Sequence, residues 1–386
     1  MSESRYSRHT LIPNWSQKKL TEAKVAVVGC GALGNEVLKN LALLGIGQIW
    51  VVDYDTIEIH NLTRSVLFRE SDIGRAKTEV VAERVRELNP DACIHQIKGK
   101  LELAFGRGLL REMDVVLGCL DSVGARRELN RRCYFAGTPW IDGGITHNLG
   151  NVALFDPRIP ETACYRCKMN TSAWARLNEK YSCGYLKDNY EDPKFATTIM
   201  TASVVAAYQV EVAVQLLLTG TSHLKPGTQL FLPVALPAGF RTIEFSLDQE
   251  CPDHSSIPNN KSTPPQKFSL DNTPTHVANK LNLGNNWNLE LPFNFVSRLT
   301  CHECGYVESV RKSKGEINKS QTRCPKCQKN GREPTEFFRV AINSEEAKQS
   351  FHDFALCDRE IIKYVYNKKT INIEVVNDSV NSELGR

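Results

Sequence analysis

No stretch of this 386-residue sequence is at once long, apolar and free of charge, so none reads as a membrane span. The N-terminal residues Met1 to Arg8 lack the apolar core of a signal peptide, and the expectation is a cytoplasmic protein. Charge of one sign is scarce as well: the formal net charge is +4, too small over this length to argue nucleic-acid binding. No internal repeat stands out beyond a set of cysteine pairs. The most apolar segment, Thr197 to Leu218, is interrupted by Gln209, Glu211 and Gln215, and is expected as a buried or dimer-interface helix with no membrane role. With 41% hydrophobic and 24% charged residues the composition is that of an ordinary soluble globular protein, and the length calls for two domains.

What is present is concentrated near the N-terminus. Val25 to Val28 is a continuous apolar, mostly β-branched run, followed by Gly29-Cys30-Gly31-Ala32-Leu33-Gly34, which has the G-x-G-x-x-G spacing of a strand-to-helix turn. Such a turn holds a nucleotide phosphate. Gly29 supplies the tight bend, Gly31 lets backbone N–H groups approach phosphate oxygens, and Gly34 lets the helix pack on the strand. The second strand ends in Asp53, the acid expected on ribose hydroxyls, and to this point a dehydrogenase fits. The residues that follow do not fit one: Asp55, Asn61, Arg64, Lys77 and Asp121 place two cations, an amide and further carboxylates around one nucleotide site. Hydride transfer has no use for them, and no dehydrogenase substrate domain follows. In-line attack on a triphosphate does, because charge accumulating on the departing pyrophosphate is neutralised by Arg, Lys and a metal ion.

At these residues, and at the early motif Arg5-Tyr6-Ser7-Arg8-His9, the chain resembles the ThiF/MoeB/HesA branch of the ubiquitin-activating-enzyme superfamily, over roughly the first two-thirds of its length. The resemblance implies a Rossmann-like adenylation domain. Gly29, Gly31 and Gly34 would frame ATP with Asp53 and Asp55 at the nucleoside, Asn61, Arg64 and Lys77 would hold the phosphates, and Asp121 would hold Mg2+. Arg8 would reach across a homodimer into the partner's site. The implied reaction is attack on the α-phosphate by the C-terminal glycine carboxylate of a small β-grasp protein, ubiquitin-like or sulfur-carrying, giving an acyl-adenylate and pyrophosphate. Relatives that continue to a thioester or persulfide place a cysteine in a crossover loop, here near residues 168–196, where Cys183 lies with Lys180 and Lys187 to favour its thiolate. An unreactive loop cysteine is the competing reading. A thioester would be handed to a conjugating enzyme, as in the stand-alone bacterial activating enzymes that this arrangement looks like. Without one, the chain would be an adenylyltransferase of a sulfur carrier in thiamine or molybdopterin-type biosynthesis, and a silent nucleotide-binding scaffold is a more remote alternative.

Thirteen cysteines in a cytosolic chain are metal ligands or thiols sooner than disulfides. Cys301-x-x-Cys304 and Cys324-x-x-Cys327 are separated by 19 residues, within zinc-ribbon spacing. Cys164-x-x-Cys167 is a third pair, and the family resemblance joins it to Cys251-x-x-His254, a three-thiolate, one-imidazole set. Both zincs would be structural, since four protein ligands leave no open position. Cys30, Cys93, Cys119 and Cys133 lie in apolar patterns where cysteine behaves as a small hydrophobe, and Cys357 lies in a helix-like stretch.

The organisation expected is α/β: a doubly wound, mostly parallel sheet over residues 1–257, a linker at 258–266, and a smaller C-terminal zinc-ribbon and α/β module over 267–386 with the ribbon at 301–327. Strands are expected at Val25–Val28, Ile49–Asp53, Ala92–Ile97, Asp114–Cys119 and Pro139–Asp142, alternating with helices at Asn35–Leu44, Ala76–Leu88 and Gly124–Phe135. Asn151–Asp156 begins an antiparallel extension. The module should add strands at Glu336–Ile342 and Thr370–Val376 and a helix around Glu345–Leu356. Its hairpin is basic, with Arg311, Lys312, Lys314, Lys319, Arg323, Lys326, Lys329 and Arg332, which reads as a solvated face, a docking face for a carrier or conjugating protein, or a nucleic-acid surface. The last ranks lowest because aromatics for base stacking are not interleaved. No rhodanese-type active-site loop is present, since Cys357-Asp-Arg-Glu-Ile-Ile does not match one.

Overall fold

The computed structural model describes residues 5–146, 148–169, 197–233, 239–255, 264–317 and 319–377. Two compact units divide the chain near residue 260. In the larger, strands β1 (Lys24–Val28), β2 (Gln48–Asp53), β3 (Cys93–Lys98), β4 (Val115–Gly118) and β5 (Trp140–Ile145) run parallel. Then β6 (Gly150–Phe155), β7 (Thr228–Leu232) and β8 (Arg241–Glu244) extend the sheet antiparallel. The order is β3-β2-β1-β4-β5-β6-β7-β8, so the chain reverses direction across the sheet between β1 and β4. That reversal opens a crevice at the C-terminal ends of the strands, the usual ligand position in such sheets.

Helices cover both faces. They are α1 (Gln17–Glu22), α2 (Ala32–Leu44), α3 (Lys77–Leu88), the short α4 (Leu101–Ala104) and α5 (Arg107–Leu110), α6 (Val123–Ala136), α7 (Ile199–Thr219) and α8 (Pro252–Ser255). The pleat sorts β1 between them: Val25 and Val27 join the core shared with Val37, Leu41 and Val205, while Ala26 and Val28 join the opposite core with Leu129, Trp140 and Cys164. Burial on both faces is why these strands read as unbroken apolar runs. Local signals set the helix ends. Gly45 ends α2 at φ 80°, Gly137 ends α6 at φ 76° and Gly220 ends α7 at φ 78°. Ser122 caps α6 by accepting the Ala125 N–H at 3.2 Å. Helix α7 is long and apolar enough to cross a bilayer, yet it is a core helix, burying Ala202, Val205, Ala206, Val210 and Ala213 against α2 and the sheet.

The smaller unit holds α9 (Pro274–Lys280) and a sheet of β9 (Gln266–Ser269), β10 (Trp287–Cys301), β11 (Val307–Ser313), β12 (Arg332–Ala341), β13 (Glu360–Tyr366) and β14 (Lys369–Val376). The long β10 organises it: its first half pairs with β12 and β13, and its second half with β12 and β11. Trp287, Leu289, Phe295, Phe351, Phe354 and Tyr364 form its core. The helix expected around Glu345–Leu356 is instead two single 3₁₀ turns, Glu345–Lys348 and Phe351–Phe354. Ser344 caps the first by accepting the Ala347 N–H, and Ser350 and Asp353 cap each other's backbone in the second. Cys357 lies in the turn after them, outside any helix.

Candidate nucleotide site and zinc centres

The glycine turn excludes side chains for different reasons at its three positions. Gly29 sits at φ +98°, and a methyl group there would lie 2.4 Å from the Cys119 carbonyl oxygen. One at Gly34 would lie 2.0 Å from the Gly29 carbonyl oxygen, so strand and helix are locked by backbone contact. At Gly31 nothing stands within 4 Å, and this glycine faces open space at the start of α2. Helix α2 has no side-chain cap and no acid in its first turn. Its free N–H groups and positive end are therefore available to an anion.

Acids at the end of β2 brace this turn. Asp53 accepts the Cys30 N–H on Oδ2 at 2.6 Å and the Asp55 N–H on Oδ1 at 2.8 Å. Burial raises its carboxyl pKa, while Lys77 and the two N–H groups oppose the rise. Lys77 is the first residue of α3, a helix end where a cation is electrostatically misplaced. It is held there with a side chain only 9% exposed, by Asp55 Oδ2 at 2.8 Å. Asp121 is exposed just beyond β4. It shares this field: although Tyr54 is more than half exposed, partial desolvation and then Asp55, Asp121 and Asp53 raise its phenol pKa.

Asn61 and Arg64 come from a turn between β2 and α3. Asn61 is buried, and its Oδ1 accepts the Glu58 N–H at 3.0 Å. Arg64 donates to the His60 carbonyl at 2.6 Å and has no carboxylate partner among the described residues. The tie between this segment and the glycine turn is Asn35, fully buried in the first turn of α2. Its Nδ2 donates to the Cys30 and Gly31 carbonyls at 2.8 and 3.0 Å, and its Oδ1 accepts the Leu67 N–H at 2.9 Å. The sequence reading passed over Asn35; its signal was an amide directly after the third glycine, in the first turn of the helix.

Two further residues missed in the sequence hold the other wall. Arg126, in the first turn of α6, donates to Asp142 at 2.8 Å and to the Leu120 and Gly143 carbonyls at 2.6 and 3.2 Å, which fixes the backbone beside Asp121. Gln209 is fully buried, and its Nε2 donates to the Gly118 and Ile141 carbonyls at 3.0 and 2.8 Å. The glutamine that interrupts the apolar pattern of α7 thus satisfies strand-end carbonyls.

Arg8 does not join this cluster. Around it, Tyr6 packs on Gly45, Gln17 donates to the Leu44 carbonyl at 3.0 Å, and Arg5 donates to the Leu88 carbonyl at 2.8 Å. Those are the C-terminal ends of α2 and α3, at the opposite end of the parallel strands from the glycine turn, and Arg8 is exposed there. Cys183, Lys180 and Lys187 lie outside the described residues.

Eight metal-type ligands form two groups, Cys164, Cys167, Cys251, His254 and Cys301, Cys304, Cys324, Cys327, each with its ligand atoms within 4.8 Å of one another. In the first, Cys164 Sγ is 3.7 Å from both Cys167 and Cys251 Sγ, and Cys167 Sγ is 3.4 Å from His254 Nε2. In the second, Cys301–Cys327 and Cys304–Cys324 are 3.6 Å apart. Tetrahedral zinc with bonds of about 2.3 Å to sulfur requires S···S separations of roughly 3.8 Å. Both groups could hold zinc, with all four positions filled by protein. Of the remaining cysteines, Cys30 and Cys133 are buried as expected, but Cys93 is exposed with its Sγ 3.4 Å from His95 Nε2, because β3 is the edge of the sheet.

Four of the eight bases named for the hairpin of the smaller unit pair with acids. Arg311 pairs with Asp353, Lys314 with Glu336 and Lys329 with Glu303. Arg332 is no surface base: it is buried, pairs with Glu308 at 2.6 Å and donates to the Gln321 carbonyl at 3.0 Å.

The chain is similar in sequence and in fold to known proteins. Over 151 residues the chain is 37% identical to SUMO-activating enzyme subunit 2 of Dictyostelium discoideum, covering 39% of this chain and 22% of that one. Over 166 residues it is 34% identical to the molybdopterin-synthase adenylyltransferase of Salmonella typhimurium, covering 42% and 66%. The chain thus spans less than two thirds of the length of either relative. E. coli MccB crystallised with ATP superposes with a TM-score of 0.53 at 26% identity, over 65% of this chain and 73% of that one. The ThiF family model matches residues 5–252, from Arg5 through the eight-stranded sheet to the second half of the first cysteine group, and on that match the chain belongs to the ThiF family.

Proposed function

We propose that this protein activates the C-terminal glycine carboxylate of a small β-grasp carrier, ubiquitin-like or sulfur-carrying, by ATP-dependent adenylation. What supports the reading is an uncapped helix N-terminus behind an open Gly31, braced through Asp53 and Asp55 to Lys77, and tied by Asn35 to Leu67 in the segment that also carries Arg64. Hydride transfer has use for the first and none for this pair of cations.

The carrier carboxylate is ionised at neutral pH, so it needs no general base. Its oxygen bonds to the α-phosphorus as the bond to the bridging oxygen of the β-phosphate breaks, giving carrier acyl-AMP and pyrophosphate. Lys77 and Arg64 stabilise charge on the departing pyrophosphate, the α2 N-terminus holds phosphate oxygens, and Asp53 receives the ribose. Asp121 offers the hard oxygen that Mg2+ favours, and bound magnesium would supply further charge neutralisation there. Arg8 completes the partner's site in a homodimer, consistent with its place at the end of the strands away from its own glycine turn.

The proposal continues to a thioester, in which the Cys183 thiolate attacks the acyl carbon, AMP leaves, and the carrier passes to a conjugating enzyme in the cytoplasm. The names of the relatives support equally an adenylyltransferase that stops at acyl-AMP. Labelling with α-phosphate-labelled ATP and a β-grasp protein ending in glycine separates the two. Thioester chemistry predicts a carrier adduct on this chain that is released by exchange with an added thiol and lost in Cys183→Ala, while acyl-AMP formation persists. Acyl-AMP with no such adduct leaves the adenylyltransferase reading; no labelled carrier from any such protein overturns both.

A further inference from the structure

Asn130, in the middle of α6, is fully buried and hydrogen-bonded through both its amide oxygen and its amide nitrogen. Its Oδ1 accepts the Tyr165 N–H at 3.0 Å and the Trp140 indole N–H at 3.3 Å, and its Nδ2 donates to Asp253 Oδ2 at 2.8 Å. Tyr165 lies inside the pair Cys164–Cys167, and Asp253 lies inside the pair Cys251–His254. One side-chain amide therefore grips both halves of a metal site whose halves are 87 residues apart. A second tie runs between the same halves, from Arg166 to Asp253 at 3.6 Å. One turn along α6, the Tyr134 ring meets the His254 imidazole edge-on, with centroids 5.0 Å apart.

We infer that Asn130 is a positioning residue for the discontinuous zinc site, holding its two knuckles in register from outside the ligand shell. This rests on the reading that Cys164, Cys167, Cys251 and His254 bind zinc. Closing a long loop on four ligands costs chain entropy, and a buried amide that already joins the halves removes much of that cost from the metal. Partners beyond the ligands commonly tune retention in this way, with effects of ten- to a hundredfold on affinity. The amide suits the task because it both accepts and donates: a carboxylate at the same place would face Asp253 with like charge.

The test exchanges the two roles. N130D sets two carboxylates against each other across a 2.8 Å contact, whereas N130D with D253N restores an acceptor at position 130, a donor at 253 and the original net charge. Zinc release from the full-length protein to a chromophoric chelator is followed, and the two release phases are assigned with C301S, which removes the ribbon site. The expected result is release from the Cys164 site accelerated ~10- to 100-fold in N130D, an unchanged ribbon phase, and recovery in the double variant to within a fewfold of the parent. If N130D does not fold but the double variant does, that rescue supports the same pairing. Equal acceleration of both phases, an unchanged Cys164 phase, or a double variant no better than N130D overturns the inference. A protein from which C251S removes no zinc overturns its premise, leaving the adenylation proposal standing.

Discussion

Asn35 carries the most exposed structural consequence of this account. The Asn35→Ala change removes the hydrogen bonds to the Cys30 carbonyl, the Gly31 carbonyl and the Leu67 N–H. The Gly31 carbonyl keeps its helical partner, the Asn35 backbone N–H at 2.9 Å, so two groups are left without their partner: the Cys30 carbonyl and the Leu67 N–H. At about 1–3 kcal/mol for each buried unsatisfied group, the expected destabilisation is about 3 kcal/mol. Urea denaturation followed by circular dichroism measures it, and titration with ATP gives the second readout. Affinity should fall further than stability alone accounts for, because the segment bearing Asn61 and Arg64 is no longer tied to the glycine turn. Asn35→Asp sharpens the test: it retains an acceptor for Leu67 but sets a buried anionic oxygen against two carbonyls. The introduced carboxyl would have its pKa raised in the folded state, so the variant should be least stable at neutral pH and recover as pH falls, when the protonated group can donate. A loss below about 0.5 kcal/mol in Asn35→Ala, with ATP affinity unchanged, would refute the claim that this amide couples the two halves of the site.

The Glu128 carboxyl makes a prediction about pH. Burial pushes its pKa up, but Arg131 and Arg132, at 2.7 and 2.8 Å, outweigh that and hold it at about 2. A depressed carboxylate stabilises the fold above its unfolded pKa, so Glu128→Gln should cost up to about 3 kcal/mol at pH 7, and the gap between variant and parent urea midpoints should close between pH of about 4.5 and 2. A gap that does not change with pH would refute it. Metal analysis should find two zincs per chain, falling to one in either Cys251→Ser or Cys324→Ser; loss of both from one substitution would contradict two independent four-ligand centres.

The parallel half of the fold was legible because strands buried on both faces write themselves as unbroken apolar runs, and Val25–Val28, Ile49–Asp53 and Asp114–Cys119 all emerge within a residue or so of β1, β2 and β4. The smaller unit was less so. β10 is 15 residues long, but its register with β12 shifts between Glu290 and Phe295 and again between Val296 and Arg298, and Pro292 falls at the first break, so no strict alternation survives to be read. All four residues of β8 are exposed, which leaves no apolar signature. The acid- and alanine-containing stretch after Ser344 has helical composition, yet Ser350 and Asp353 cap a new turn before a helix can propagate. At the site, charged residues were visible as types in order, whereas Asn35, Arg126, Gln209 and Asn130 do their work by hydrogen-bonding backbone or buried partners that only the fold brings near. Arg332 shows the converse error, a surface base by composition that burial beside Glu308 turns into an internal tie.

Carrier-dependent exchange of pyrophosphate into ATP tests the central claim most directly. The purified protein, given candidate β-grasp proteins ending in glycine, should catalyse exchange with at least one of them, and Arg64→Ala should lower it by roughly 10²- to 10³-fold, the usual loss when a donor to developing charge is removed, with Cys183→Ala leaving it intact. ATP binding without exchange by any carrier, or exchange equal in parent and Arg64→Ala, would contradict the account.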